Sequence, residues 1–567
     1  MYSFFTVVFL LFISCTSEYE TALGEDRKLI EEDVSVTECR LPKIDIRHPE
    51  SPKEPEIKRK KMFSGSFDNC KNIPEAKEGK IVLGNGCFKG CLYVQGNLEV
   101  SGTGTEETVM FCSCEETPGV IEIAENSNVI LKNFSITGHT RGIFVGNKSS
   151  LEIENVVIYD VVRGGINVCG DSLDCGSEVT VKSSLISNVR KYPSSGISYG
   201  ISTGPGILKI KESELSHFSS FGILLWGGSG VSRMIQTELK NTIISEVSSG
   251  TKNYEGHGIY AEGMTDISID KSIISNCLTS FLFVYANGEN PHLKLTDLSA
   301  ENIIPVSKEQ GGIVLEGKIN AAMERVRIKN SRGSGIFSKN AVIKGKDITI
   351  ESVFPDGLGE NGFGMMLFDE STSFFDRIIV TNTGTAGVLM DGDNCTAEFE
   401  NFEISNTRSD PEIFEFGVGV AVQDKAQIKL KTGVLGQNRE CGVMAVNGKI
   451  ELQNVMVSHT LQRECIEKGM CIFAPGVPFG HGISLYSGSE LVFEDIYISN
   501  NNNGINIENS KVIKKSLGGA RFVENISAVN AWNIKDYSAL ENSFSSSEFC
   551  DNRSIFTTDL QPVREKF

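Results

Sequence analysis

Two histidines stand in Gly-His-Gly triplets, Gly256-His257-Gly258 and Gly480-His481-Gly482. An imidazole titrates near neutral pH, so His257 and His481 are candidates for general acid or base work. Carboxylates gather in two stretches, Asp356 with Glu360, then Asp410, Glu412 and Glu415. Grouped oxygens of this kind suit a hard cation, which makes Ca²⁺ the one ion to consider. Asp410 is the carboxylate candidate to act beside a histidine. Aromatic rings recur in the same segments: Tyr192, Tyr199, Tyr254, Phe354, Phe363, Phe414, Phe416, Phe473 and Phe479. Exposed in a row, such rings would stack on sugar faces; folded inward, they would plug their own loops. The candidate binding set is therefore Tyr199, Tyr254, Phe363, Asp356, Glu360 and Glu412. The sequence has no phosphate-cradling loop, nucleophile elbow or zinc-type ligand cluster, so no organic cofactor is expected.

The cysteines and the N-terminus address compartment rather than catalysis. Phe4 to Ile13 is a short apolar run ending at Ser14-Cys15, too short to span a bilayer and shaped like a signal peptide. It resembles the bacterial lipobox, which implies a signal peptide over 1–14 and a lipid on Cys15; the alternative is an ordinary secretory signal. The expected location is the bacterial cell envelope, lipid-anchored, or else secreted. Removing Cys15 from 15 cysteines leaves an even set, which in an oxidising compartment favours disulfides. Cys169/Cys175 and Cys465/Cys471 share a spacing of six, and Cys87/Cys91 is a third candidate pair. The formal charge of −19 excludes nucleic acid as a natural partner. A glycan or a surface protein remains, with membrane contact only through the lipid and a monomer as the expected state.

The elements that must position these residues form one repeat. A glycine followed by an apolar residue opens a short strand at Gly142, Gly165, Gly200, Gly222, Gly258, Gly312, Gly335, Gly364, Gly387, Gly419, Gly442, Gly482 and Gly504, with Phe281 as a variant. Between these positions lie two further alternating runs, such as Leu151-Glu152-Ile153 and Val156-Val157-Ile158. A period of two marks strands, and three short strands in about 22 residues make one coil, which buries its apolar face only by stacking on its neighbours. A second column follows the last inward residue of each coil: Asp160, Asn188, His217, Glu246, Asn276, Asn302, Asn330, Ser352, Asn382, Asn406, Gln437, His459 and Asn500. Asparagine tolerates the left-handed backbone of a sharp corner and can hydrogen-bond in a ladder. Every second coil carries extra length at this corner, giving six loops: 189–199, 247–257, 303–311, 353–363, 407–418 and 460–481. A leucine-rich repeat has a similar unit length, but its leucine frame does not persist here.

The pattern resembles the right-handed parallel β-helix of the pectate-lyase-like superfamily over residues 78–508, and Gly79 to Phe111 looks like that superfamily's first coils. The resemblance implies an all-β, single-stranded solenoid. Residues 15–77, rich in Glu, Lys and Pro, read as a tether, and 509–567 as a C-terminal cap over the last coil. The run Gly480-His481-Gly482-Ile483-Ser484, with Arg327-Ile328-Lys329, is similar to motifs of the polygalacturonases on this fold. That family implies a general acid and a carboxylate base flanking the bond. Its Asn-Thr-Asp and Asp-Asp pairs are missing before the triplets, Arg327-Ile328-Lys329 precedes His481 instead of following it, and Asp391-Gly392-Asp393 reads as a turn. The expectation is a non-catalytic scaffold displaying loops to a glycan or protein; the alternative is a polysaccharide lyase or glycoside hydrolase.

Overall fold

The computed structural model describes residues 41–557 except 114–116, 139, 171–173, 192–195, 228–233, 249–254, 289, 304–310, 357–360, 410–415, 463–479, 516–518, 535–536, 551 and 553. The chain divides into two compact units: an N-terminal unit, 49–350 with 356–358, and a C-terminal unit, 351–355 with 359–567, which also takes the described residues up to His48. Each unit is a stack of parallel β-helix coils.

One coil of the N-terminal unit shows why. Strand Gly206–Phe218 runs 13 residues and bends at Glu212, whose φ is 53°. The chain then turns into the short strand Phe221–Trp226. The long strand pairs in parallel with Ile235–Val247, and the short one with His257–Glu262. Leu208, Ile210, Leu215, Ile223 and Leu225 point inward and are fully buried. Each such side chain contributes about 1.5–3 kcal/mol over its exposed state.

The glycine column is a matter of clearance. A Cβ on Gly258 would meet Ile274 Cγ2 at 2.5 Å and the Phe281 carbonyl oxygen at 2.6 Å. The backbone there passes too near the next coil for any side chain.

The corner column is left-handed throughout: all thirteen positions from Asp160 to Asn500 have φ between 52° and 66°. Its side chains form the expected ladder. Asn276 Nδ2 donates to Glu246 Oε1 at 2.6 Å and Asn330 Nδ2 to Asn302 Oδ1 at 2.9 Å; in the C-terminal unit Asn382 Nδ2 donates to Ser352 Oγ at 2.8 Å. His217 and His459 occupy slots in this column. In the N-terminal unit both ends of the longer segments leave from stacked positions. Val189, Phe218, Val247, Cys277 and Ile303 pair in one line, and Tyr199, Phe221, His257, Ser280 and Gly311 in another. The C-terminal unit repeats this with Ser405, Gly436, Ser458 and Ser499.

The coils extend beyond both expected ends. Lys71–Asn72 already pairs with Phe88–Lys89. After residue 508, Ala520–Val523 stacks on Glu490–Ser499 and Ser527–Trp532 on Asn503–Glu508, followed by Glu548–Cys550 and Ser554–Thr557. The glycine column stops there because buried Ala528 takes its slot, stacked on Gly504. The segment expected as a cap is largely further coil, with helix Tyr537–Phe544 laying Phe544 on Phe493 at 5.5 Å and on Phe522 at 5.8 Å. The expected tether is also attached. Lys60 Nζ donates to Asn155 Oδ1 at 2.8 Å and Tyr159 Oη to the Phe63 carbonyl at 3.3 Å in the N-terminal unit. In the C-terminal unit Arg47 pairs with Asp376 at 3.6 Å.

Three disulfides are described, Cys70–Cys87, Cys91–Cys112 and Cys169–Cys175. The last is the expected pair. Cys87 and Cys91 do not join each other: Lys71 pairs with Phe88, which sets Cys70 beside Cys87, and Cys91 reaches Cys112 in the next coil. Cys277, Cys395 and Cys441 remain buried thiols, which corrects the expectation that the even set would be bridged. Burial drives the Cys277 thiol well above its ordinary pKa, and burial first, with Asp391 contributing, pushes Cys395 up to about 12. Cys15, Cys465 and Cys471 lie outside the described residues. No helix among the described residues is long and apolar enough to cross a membrane.

Candidate functional site

Short strands present their second and fourth residues after the glycine position to the outside. On five consecutive strands of the N-terminal unit these outward positions hold rings and charges. One register line is Leu224, Tyr260, Phe283, Val314 and Phe337; the other is Trp226, Glu262, Tyr285, Glu316 and Lys339. At a strand spacing of about 4.8 Å, five strands give a surface about 19 Å long. Tyr260 and Phe283 stack with centroids 5.3 Å apart and planes 2° from parallel. Phe221 and His257 close one side, each 5.5–5.6 Å from Tyr260. Trp226 is 48 % exposed, and Tyr260, Phe283 and Tyr285 are half-buried.

The Tyr260 hydroxyl donates to Glu262 Oε2 at 3.2 Å. Burial first, then the Glu262 charge, holds its pKa above the ordinary tyrosine range, so it stays a donor. Stacked on each other, Tyr260 and Phe283 turn ring edges outward, and this apolar ridge, rimmed by Glu262, Glu316 and Lys339, can lie against the apolar face of a sugar while the rim takes hydroxyl hydrogen bonds.

In the C-terminal unit three carboxyls come together from adjacent coils. Phe368, Asp391 and Gln423 are in register, so Asp369 and Asp424, each one residue further on, flank Asp391. The Asp369 amide donates to the Asp391 carbonyl at 3.0 Å. Asp391 is pushed up to about 6, by burial first, then by the Asp424 charge and Asp369. Burial and the neighbouring carboxyls together favour the protonated form of Asp391 more than in a free aspartate.

A family model described as the right handed β-helix region matches residues 85–244 and 289–461. The chain belongs to this right-handed β-helix family. No curated protein matches it. Among solved structures it is similar to pectate lyase Pel9A, at 14 % identity over 46 % of this chain and 69 % of that one, with a TM-score of 0.29. It is similar to the catalytic domain of a GH87 α-1,3-glucanase solved with tetrasaccharides, at 13 % identity over 90 % and 69 %, TM-score 0.23. It is also similar to the periplasmic alginate epimerase AlgG, at 10 % identity over 80 % of each chain, TM-score 0.25.

The β-helix register explains where the residues singled out in the sequence go. His257 and His481 occupy the slot before the glycine column, and each is about 5 % exposed or less. His257 Nδ1 lies 2.6 Å from Ser280 Oγ, with its ring parallel to Phe221 at 5.9 Å. The His481 amide donates to the Glu440 carbonyl at 2.9 Å. Buried between coils, neither imidazole is placed to meet a polymer. Tyr199 and Phe363 fill the same slot and are buried; Asn167 Nδ2 donates to Tyr199 Oη at 2.6 Å. These two rings plug the stack instead of facing outward. Asp356 is buried next to Arg332: burial lowers that guanidinium's pKa and the Asp356 charge opposes the drop. Among the described residues no group of three or more His, Cys, Asp or Glu side chains is arranged to hold a metal ion, the Asp369, Asp391 and Asp424 group included. Tyr254, Glu360, Asp410 and Glu412 lie outside the described residues, as do Tyr192, Phe414, Glu415, Phe473 and Phe479.

The aromatic surface itself went unread in the sequence, although its signal is plain in GILLW, GIYAE, FLFVY, GIVLE and GIFSK. Counting outward positions within each short strand finds every member. Asp391 was read as part of a turn, whereas it closes the strand Ala386–Asp391.

Proposed function

We propose that this chain is an exported, lipid-anchored glycan-binding protein whose β-helix holds a polysaccharide against the ring surface of Trp226, Tyr260, Phe283 and Tyr285. The observation that carries the reading is the parallel Tyr260–Phe283 pair beside a tryptophan left 48 % exposed. Three disulfides support an oxidising compartment outside the cytoplasm. The soluble chain starting at Thr16 is to be screened on a glycan array and by co-sedimentation with insoluble polysaccharides. Retention on at least one glycan that Trp226→Ala weakens supports the reading; no retention on any glycan refutes it.

A second reading, a polysaccharide hydrolase, draws on Asp391, whose raised pKa suits a general acid. Incubation with the retained glycan separates the two: new reducing ends, lost in Asp391→Asn, favour hydrolysis, and an unchanged polymer favours binding alone.

A further inference from the structure

Residues 49–63 lie along the N-terminal unit without helix or strand, yet their burial repeats. Pro49, Pro52, Pro55, Ile57, Lys60 and Phe63 are half-buried, and every residue between them is exposed. The spacing is three on either side of one shorter step, from Pro55 to Ile57; three is the period of polyproline II, for which proline presets φ. The Glu50 amide donates to Asp347 Oδ1 and the Lys53 amide to Asp297 Oδ1, each at 3.1 Å. Each donor directly follows a proline, which has no N–H of its own.

Both acceptors belong to the column where the long strands bend. That column runs Asn241, Lys271, Asp297, Arg325 and Asp347, all with φ between 47° and 58°. Asp297 and Asp347 are each 2 % exposed. Arg325 clamps Asp297 through Nε at 2.7 Å and Nη2 at 3.2 Å. Carboxylates therefore stand two coils apart, with a cation on the coil between them.

The two periods match. Three residues of polyproline II advance about 9.3 Å, and two coils rise about 9.6 Å. Seven residues, Lys53 to Lys60, advance about 22 Å. The five coil steps from Asp297 to Asn155, which Lys60 reaches, rise about 24 Å. We infer that the bend column is a recognition surface for a polyproline II segment, in which two aspartates standing two coils apart, Asp347 and Asp297, take the amides that follow Pro49 and Pro52. Its occupant is residues 49–63 of this same chain. The segment is a register-locked strap spanning several coils, and the ligand class the surface takes is a proline-rich peptide of period three. This inference is independent of the glycan reading.

The test is amide hydrogen exchange on the full chain in three forms: wild type, Ser51→Ala and a deletion of Ser51. A hydrogen bond to a buried carboxylate slows exchange at least about tenfold. Wild type and Ser51→Ala are expected to protect Glu50 and Lys53 and to leave the amides of position 51 and Glu54 unprotected. The deletion leaves the donors about 6 Å apart, so one of the two loses its protection, while coil amides such as Ile328 keep theirs. Absence of protection at Glu50 or Lys53, or protection at Ser51 and Glu54, in wild type overturns the inference, as does protection of both donors after the deletion.

Discussion

Tyr260 and Phe283 lie one above the other on neighbouring strands, ring centroids 5.3 Å apart and planes 2° from parallel. The strand ladder that pairs them also pairs Leu224 with Tyr260 and Phe283 with Val314, so the rings inherit their alignment from backbone hydrogen bonding. A platform made this way is pre-organised and pays little ordering entropy when a ligand arrives.

Trp226 allows binding to be separated from stability. With 48 % of its surface exposed, its truncation to alanine costs about 1–3 kcal/mol of stability, a loss the melt reads separately from affinity. Loss of one stacked ring costs about 0.5–1.5 kcal/mol of affinity, roughly a two- to tenfold rise in Kd. Calorimetric titration with the retained glycan, alongside a thermal melt, checks both halves.

The glycine column makes a sharp contrast. Gly258→Ala forces a methyl group against Ile274 and the Phe281 carbonyl, which costs about 1–3 kcal/mol or more. Gly84 has nothing within 4 Å of the corresponding position, and Gly84→Ala is expected to be neutral or slightly stabilising. Denaturant midpoints of the two variants measure the difference.

The pH dependence of Asp391 has a definite sign. Its folded pKa, about 6, lies above the ordinary aspartate value of about 3.9. The folded state therefore holds the extra proton, and stability falls as pH rises from about 4 to about 6. Asp391→Asn removes that loss. It should raise the melting temperature at pH 7.5 and leave it unchanged near pH 4; equal shifts at both values would contradict the assignment.

The buried thiols Cys277, Cys395 and Cys441 should resist alkylation in the native chain and react once it is denatured. Peptide mass spectrometry of the labelled protein reads each site separately. Labelling of Cys277 under native conditions would mean that its coil opens.

Much of this architecture is legible in the residues because two columns carry single-purpose chemistry. Glycine is needed where Gly258 passes Phe281 at contact distance, and asparagine where Asn276 and Asn330 turn left-handed. The second left-handed column, which includes Asn133, Asn155, Asn241, Asn401 and Asn454, hid from view because it lies inside continuous long strands, where a period of two conceals the bend, and because Ser183, Glu212, Lys271, Arg325 and Thr432 interrupt its asparagines. The strap hid for a related reason: Pro, Glu and Lys read as a solvated linker, yet its grip comes from backbone N–H groups on Asp297 and Asp347. The histidines misled because a Gly-His-Gly triplet arises whenever the slot before the glycine column holds a histidine. The corner segments begin and end at stacked positions in the N-terminal unit, but of the rings expected to work at the corners Tyr199 and Phe363 turn inward. The outward rings lie on the strands.

The most direct measurement uses Trp226 itself as the reporter. The chain has two tryptophans, so Trp532→Phe leaves Trp226 alone in the emission spectrum. Titration with the glycan retained in co-sedimentation should shift or quench its fluorescence saturably, with a midpoint matching the calorimetric Kd. Binding by calorimetry with unchanged Trp226 emission would place the glycan elsewhere and contradict the account.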